Sequence, residues 1–330
     1  MEQIRWGILG CGVIARTFAR EVAAAPHAVV TAVGSRSIEK GRAFASEFGI
    51  PHAYGSYEEL CASPEVDAIY VATPHGRHRD DTLLALRGGK HVLCEKAFAI
   101  NRREGEEMIR EAKARDLYLC EAMWTRWVPT NKAALRWIRE GRIGEVTHVC
   151  GEYGFAMDLH TAAPRLYERE CGGGALLDVG VYPIAFASMA FGGETPVSVH
   201  GVSVPLPNGV DGDTSISIQY AHGTASLCGS FLATYDSRAK VFGSRGSVSY
   251  DPWFLCPESV TLTADGKTET IKAEHRFSGH EYMIEGVSCD ILAGKRESDE
   301  LPLNETLTIL SIMDAVRSDI GLEYPNDEND

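Results

Sequence analysis

Three side chains in this sequence have the types and settings for proton chemistry. Lys96 directly follows the apolar run His91-Val92-Leu93-Cys94, in Cys94-Glu95-Lys96-Ala97. An ammonium is strongly hydrated, and setting it at the end of a buried strand without a partner or a task is costly. Asp178 and Tyr182 stand in the glycine-rich run Cys171-Gly172-Gly173-Gly174-Ala175-Leu176-Leu177-Asp178-Val179-Gly180-Val181-Tyr182-Pro183. If that run is helical, the two lie four apart on one face; read alone, Asp178 serves equally well as a helix N-cap. A tyrosine hydroxyl ionises near pH 10. A lysine ammonium beside it stabilises the phenolate and brings the hydroxyl into general acid–base range. Lys96 and Tyr182 converging on one carbinol would be a coherent proton-transfer pair.

A second chemistry is written in Gly10-Cys11-Gly12-Val13-Ile14-Ala15, between the apolar run Ile4 to Leu9 and a segment of helical spacing. Gly10 allows a tight turn, Gly12 lets the backbone approach a pyrophosphate, and Ala15 keeps helix and strand close. The helix start at Val13 and Ile14 offers its N–H groups to phosphates. The next strand ends in Val33-Gly34-Ser35-Arg36-Ser37, where an NAD site usually carries an acid. Two hydroxyls and the Arg36 guanidinium suit a 2′-phosphate, so the expected cofactor is NADP, with NAD possible. Thr73-Pro74-His75-Gly76-Arg77-His78 follows a third strand, beside the crevice where a nicotinamide would lie.

These residues need a scaffold, and up to about residue 122 the pattern supplies one. Strand-like runs at Ile4 to Leu9, Val29 to Gly34, Asp67 to Thr73, His91 to Cys94 and Leu117 to Cys120 alternate with helical ones at Val13 to Ala24, Ile38 to Phe48, Arg79 to Arg87 and Arg103 to Arg115. That alternation predicts βαβ units and a parallel sheet. Beyond Trp137 the texture becomes mostly antiparallel, with one helix at Pro183 to Ala190 and two closing helices, Glu281 to Leu292 and Thr306 to Ile320. The reading is α/β: an N-terminal Rossmann domain over 1–122, then over 123–330 an α+β domain on a large open-faced, mostly antiparallel sheet. The exposed face of that sheet is a candidate homodimer surface. The acidic tail Asn326 to Asp330 reads as frayed.

The totals narrow the partners. The 330 residues carry a formal charge of −14 and no sustained basic stripe, which disfavours nucleic acid and anionic membranes. No apolar run approaches the roughly 18 uncharged residues of a spanning helix, and MEQIRWGILG lacks a signal peptide's basic start and cleavage site. Nine scattered cysteines without a C-x-x-C pair imply a reducing compartment and no bound metal. The expected location is the cytoplasm.

In order along the chain, GCGVIA, GSRS, TPHGRH, CEKAF, GGGALLDVGVYP, VFGSRGSVSYDPWF and LPLNETLTILSIMDAVRSDIGLEYP resemble the Gfo/Idh/MocA oxidoreductase family over essentially the whole length. Glu121-Ala122-Met123-Trp124-Thr125-Arg126-Trp127 and the Tyr at 182 look most like its dimeric dihydrodiol dehydrogenase branch, which includes NADP-dependent D-xylose dehydrogenases. The resemblance implies hydride transfer between a nicotinamide and a secondary hydroxyl or carbonyl of a sugar or vicinal diol. It also implies Lys96 as the residue holding the substrate oxygen, Tyr182 as the acid–base group, and Asp178 in the same hydrogen-bonded group. Glu95, His75, His78, Trp124 and Arg165 fall at cofactor positions, and Trp124, Phe155, Trp253 and Phe277 at those of an aromatic substrate wall. The family's usual Glu-Lys-Pro is Glu95-Lys96-Ala97 here, and its common acid–base His is Tyr182. A keto-sugar reductase of the 1,5-anhydrofructose type is the enzymatic alternative, and a non-catalytic NADP-sensing regulator the other.

Overall fold

In the computed structural model, which describes residues 2–328, the first alternation becomes six parallel strands. They are Ile4–Leu9 (β1), Ala28–Gly34 (β2), His52–Tyr54 (β3), Ala68–Val71 (β4), His91–Cys94 (β5) and Leu119–Glu121 (β6), in the order β3-β2-β1-β4-β5-β6. A parallel sheet covered on both faces needs strands that are apolar on both sides. Accordingly β4 is buried at every position, and β1 everywhere but Arg5, whose guanidinium bonds Asp67 at 2.6 and 3.0 Å. The strand order reverses between β1 and β4, a switch point at whose carboxyl ends ligands bind. Helices Val13–Glu21 (α1), Ile38–Phe48 (α2), Tyr57–Cys61 (α3), His78–Arg87 (α4) and Arg102–Ala114 (α5) connect the strands. The short β3 and α3 carry too few residues to show a period in the sequence.

Eight strands form the second sheet: Val146–Gly154 (β7), Ser198–Pro205 (β8), Asp211–Gln219 (β9), Thr224–Ser230 (β10), Ala239–Gly243 (β11), Gly246–Tyr250 (β12), Ser259–Ala264 (β13) and Lys267–Lys272 (β14). Their order is β14-β13-β12-β11-β7-β10-β9-β8, antiparallel except where β10 runs parallel to β7. One face is covered by helices, among them Pro129–Arg139 (α6), unforeseen in the sequence, and Val181–Ala190 (α7). The other face is open. Along β9, buried Thr214, Ile216 and Ile218 alternate with exposed Ser215, Ser217 and Gln219, the two-sided pattern of an antiparallel sheet.

The stretch Arg169–Ala190 corrects the expectation about apolar runs, since by length and composition it could cross a membrane. Its apolar window is wholly buried, and all ten residues of α7 lie in the interior of the second unit.

The compact units are not divided by a single cut at 122/123. One comprises Met1–Ala99, Arg103–Trp127 and Arg276–Leu303; the other Ile100–Arg102, Val128–His275 and Asn304–Asp330. Helix His280–Leu292 (α8), read as part of the second domain, belongs to the first unit, whereas most of Leu303–Ile320 (α9) belongs to the second. The reason is packing: α8 buries Met283, Ile284, Val287 and Ile291, and its Ser288 hydroxyl accepts from the Trp6 indole N–H at 3.0 Å. Its start is capped by Glu21 of α1, which accepts from the N–H groups of Ser278, His280 and Glu281 at 3.1–3.3 Å. Pro325–Glu328 form a 3₁₀ turn in which Asp327 pairs with Arg317, so this part of the tail is held; residues 329 and 330 lie outside the described residues.

Candidate active site

Gly10 ends β1 at φ +109°, and a methyl group there would lie 2.9 Å from the Ala72 carbonyl oxygen. The chain turns between two strand ends where only glycine fits. Gly12 is extended and exposed, and a methyl there would come no nearer than 4.0 Å to that oxygen, so the space beside it is open. Helix α1 has no side-chain cap and no acid in its first turn; Val13 is 78% exposed and Ile14 half-buried. Its leading N–H groups are therefore left for an anion. These features fit the pyrophosphate of a dinucleotide.

At the end of β2 the hydroxyls have backbone duties. Ser35 Oγ accepts from Ser37 N–H at 3.3 Å, and Ser37 Oγ caps α2 through Lys40 N–H while donating to Glu39 at 2.7 Å. Arg36 is exposed at the strand end, with no acid at 35 or 37.

Around Lys96 the loops are pinned to one another. Glu95 is buried and accepts from the Tyr70 hydroxyl and, at 3.2 Å, from the Lys96 N–H. His75 Nε2 lies 3.2 Å from the Lys96 carbonyl oxygen. His78 sits buried between the carbonyls of Thr73 and Ala97, 2.8 Å from each. Both His78 nitrogens thus face backbone carbonyls, one from the loop after β4 and one from the turn after β5, and the nitrogen that carries the proton donates to its carbonyl. Burial pushes its imidazole below the usual histidine range, and the Lys96 charge adds to this. The Lys96–Ala97 peptide bond is cis. The Thr73 hydroxyl is buried without a hydrogen-bond partner among the described residues.

Trp124, just past β6, is buried and stacks on His280 with ring centroids 4.5 Å apart and planes 24° from parallel. Nothing in the sequence reading singled out His280, which lies 156 residues downstream. Its Nδ1 is 2.9 Å from Ser278 Oγ, whose own proton goes to Glu21 at 2.5 Å. Ser278 therefore accepts from Nδ1–H, which leaves Nε2 as a bare acceptor. Burial, and then the charge of Lys96, push this imidazole down to about 3, so it is neutral. Phe277 in the same segment is half-buried, its N–H donating to Glu281 at 3.2 Å and its ring under the Arg276 guanidinium at 5.2 Å.

In the second unit, Leu176–Gly180 is a π-helical turn leading into α7. Asp178 and Tyr182 consequently do not share the α-helical register expected of them. Nor is Asp178 the cap: Asp211 accepts the Leu176 N–H at 2.6 Å. Asp178 is buried and accepts instead from exposed Arg165 at 3.1 Å, so the structure joins two residues that the sequence reading had placed in different groups. Tyr182 is 9% exposed and meets Tyr153 edge-on at 5.6 Å; Tyr153 meets Trp253 edge-on at 5.4 Å. Tyr153, the link of this aromatic chain, lies next to last in β7 and is absent from the aromatics that the sequence marks; Phe155, two residues on, falls just past the strand. Trp253 is 46% exposed, while Phe155 packs on buried Phe231 at 5.2 Å against a cluster that includes Val179 and Val210.

Fold and cradle together define a nicotinamide-dinucleotide-binding oxidoreductase, and comparison with known proteins agrees. Residues 4–122 match the model of the oxidoreductase family with an NAD-binding Rossmann fold, and residues 131–249 that of the GFO/IDH/MocA C-terminal domain. The chain belongs to the Gfo/Idh/MocA family. It is 35% identical to trans-1,2-dihydrobenzene-1,2-diol dehydrogenase of Xenopus tropicalis, covering 97% of this chain and 99% of that one. Against the Homo sapiens enzyme of the same name identity is 34%, over 98% and 99%. Among solved structures, aldose–aldose oxidoreductase of Caulobacter crescentus, complexed with glycerol, superposes with a TM-score of 0.86 at 26% identity, over 96% and 97% of the two chains. A 3-ketoreductase of Actinomadura kijaniata, in complex with NADP and TDP-benzene, gives 0.85 at 28%, over 97% and 98%.

Proposed function

We propose that this protein oxidises a secondary hydroxyl of a vicinal diol or sugar, or reduces the matching carbonyl, with NADP as the preferred cofactor. The turn at Glu95-Lys96 carries the reading. There half-buried Lys96 stands at the carboxyl end of β5, its backbone N–H held by the Glu95 carboxylate, in the unit that holds the dinucleotide cradle. Full-length likeness to the diol dehydrogenases supports the diol, and the aldose and 3-ketoreductase structures support the sugar. The cofactor, held by the Gly10–Ile14 turn with Thr73 and Pro74, gives or takes the hydride when bound. Tyr182 removes the hydroxyl proton in oxidation and returns it in reduction, and Lys96 stabilises the negative charge developing on the substrate oxygen. Asp178 orders Arg165 beside the helix that carries Tyr182. His78 and Glu95 keep the Lys96 turn in place, while Trp124 and Trp253 offer aromatic surface to substrate.

Arg36, with no acid beside it, supports NADP over NAD. A keto-sugar reductase is the second reading, favoured by the 3-ketoreductase likeness. The open face of the second sheet, with exposed Val202 and Val204 on β8, supports a homodimer, which sedimentation equilibrium tests. The nine free cysteines favour the cytoplasm.

The test is NADP⁺ reduction across aldoses, inositols and cyclic diols, and NADPH oxidation with keto-sugars, by the purified protein and Tyr182→Phe. The variant loses about 10²-fold in kcat, the scale of a positioned acid–base group, and keeps its NADPH affinity. Undiminished turnover in Tyr182→Phe removes that residue from the mechanism. Tight NADPH binding with no turnover on any substrate makes the protein a sensor.

A further inference from the structure

We propose that His27, Glu285 and Cys289 form a binding site for a thiophilic divalent cation, zinc above all, on elements that carry none of the dinucleotide or proton-transfer residues. Glu285 and Cys289 are four apart and share one face of α8. His27 lies in the turn immediately before β2. Three donor atoms of different chemistry come together: His27 Nδ1 is 2.5 Å from Glu285 Oε1, and Cys289 Sγ is 3.5 Å from that nitrogen and 3.6 Å from that oxygen. The turn is held in register by a further bond, from His27 N–H to Glu285 Oε2 at 3.0 Å.

These separations are those of a coordination sphere. Zinc binds thiolate sulfur at about 2.3 Å and imidazole nitrogen or carboxylate oxygen at about 2.0–2.2 Å. At a tetrahedral angle, that places sulfur roughly 3.5–3.6 Å from each of the other two ligands. Both sulfur distances already have this value. The nitrogen–oxygen pair, now joined by a proton, needs only to open by less than about 1 Å as the cation replaces that proton. The donor set is selective: soft sulfur with imidazole suits zinc or cobalt, whereas magnesium and calcium take oxygen. About a third of the His27 and Glu285 side chains is exposed, and Cys289 is exposed, so a cation can enter and a water can complete the sphere. Ligands 258 residues apart leave no spacing signal in a sequence, so the expectation of no metal there rests on the scattered cysteines alone. Ligation releases the thiol proton and moves the proton off His27 Nδ1, to Nε2 of the same ring or to solvent, and changes no oxidation state. Its effect is to fasten the turn before β2 to α8.

The experiment uses the full chain, reduced and stripped with chelator, titrated with cobalt(II) as a spectroscopic stand-in for zinc. One equivalent per chain is expected, with the visible bands of tetrahedral cobalt and a near-ultraviolet thiolate-to-cobalt charge-transfer band, both abolished by zinc. Cys289→Ser loses the charge-transfer band, and His27→Gln and Glu285→Gln weaken cobalt binding at least tenfold, each keeping wild-type NADPH affinity. In unmutated protein, zinc shields Cys289 from iodoacetamide, as read by peptide mass spectrometry. The proposal is overturned by a wild-type titration without the thiolate band, by an equal band in Cys289→Ser, or by alkylation of Cys289 at the same rate with and without zinc.

Discussion

Gly10 and Gly12 are two residues apart in one turn, yet their substitution by alanine has opposite consequences. At Gly10 the backbone is at φ +109°, where a non-glycine residue costs about 1–3 kcal/mol. The added methyl also meets the Ala72 carbonyl oxygen at 2.9 Å, and because that oxygen is backbone at a strand end, relief requires shifting β1 against β4. Overpacking of this kind costs a further 1–3 kcal/mol or so. Gly10→Ala therefore lowers the melting temperature of nucleotide-free protein by roughly 5–15 °C. At Gly12 the backbone, φ −77° and ψ −172°, accepts any residue, and the nearest atom to a new methyl is 4.0 Å away. Gly12→Ala leaves nucleotide-free stability within about 0.5 kcal/mol of wild type. Its methyl occupies the space a pyrophosphate needs, and losing one hydrogen bond to a charged group costs about 1.5–3 kcal/mol, or roughly 10- to 150-fold in Kd. Thermal melts without nucleotide, paired with fluorescence titration of NADPH, separate the two effects. If Gly12→Ala melts as early as Gly10→Ala, or binds NADPH like wild type, the reading of this turn as a dinucleotide cradle fails.

Two further outcomes follow from charge. Arg36→Glu sets a carboxylate where the 2′-phosphate is proposed to lie; it raises the KM for NADP⁺ at least about tenfold and leaves that for NAD⁺ equal or lower, and an unchanged NADP⁺/NAD⁺ ratio refutes the role. Asp211 is buried, and desolvation raises its carboxyl to about 6 despite bonds from Thr214 and the Leu176 N–H. Because the folded state holds this proton more tightly than the unfolded one, the resulting stability is complete below about pH 4 and is lost as pH rises through 6, on the order of 3 kcal/mol in all. Asp211→Asn flattens the stability profile between pH 4 and 6 in urea melts; an unaltered slope shows that another group titrates there.

What could be read from the sequence divides along a physical line. The Gly10 turn and the Lys96 strand end are settled by residues within a few positions of one another, and the parallel order of the first sheet follows from strand and helix alternation. Asp178 marks where that reasoning stops. Its spacing from Tyr182 argued for an α-helical face, but the Leu176 N–H is taken by an aspartate 35 residues away, and the segment opens as a π turn. Widened turns of this kind recur at functional sites, and nothing local foretells one. Likewise, Trp124 could be picked out as a candidate substrate wall, but not His280 behind it. That imidazole is positioned by Ser278 and Glu21, 257 residues apart, and Glu21 is free to serve there because α8 returns to the first unit after the whole second sheet has been built. A residue in the first helix thus sets the tautomer of a histidine near the chain's end. Long-range carboxylate contacts of this kind are a part of the site that composition and period leave unwritten.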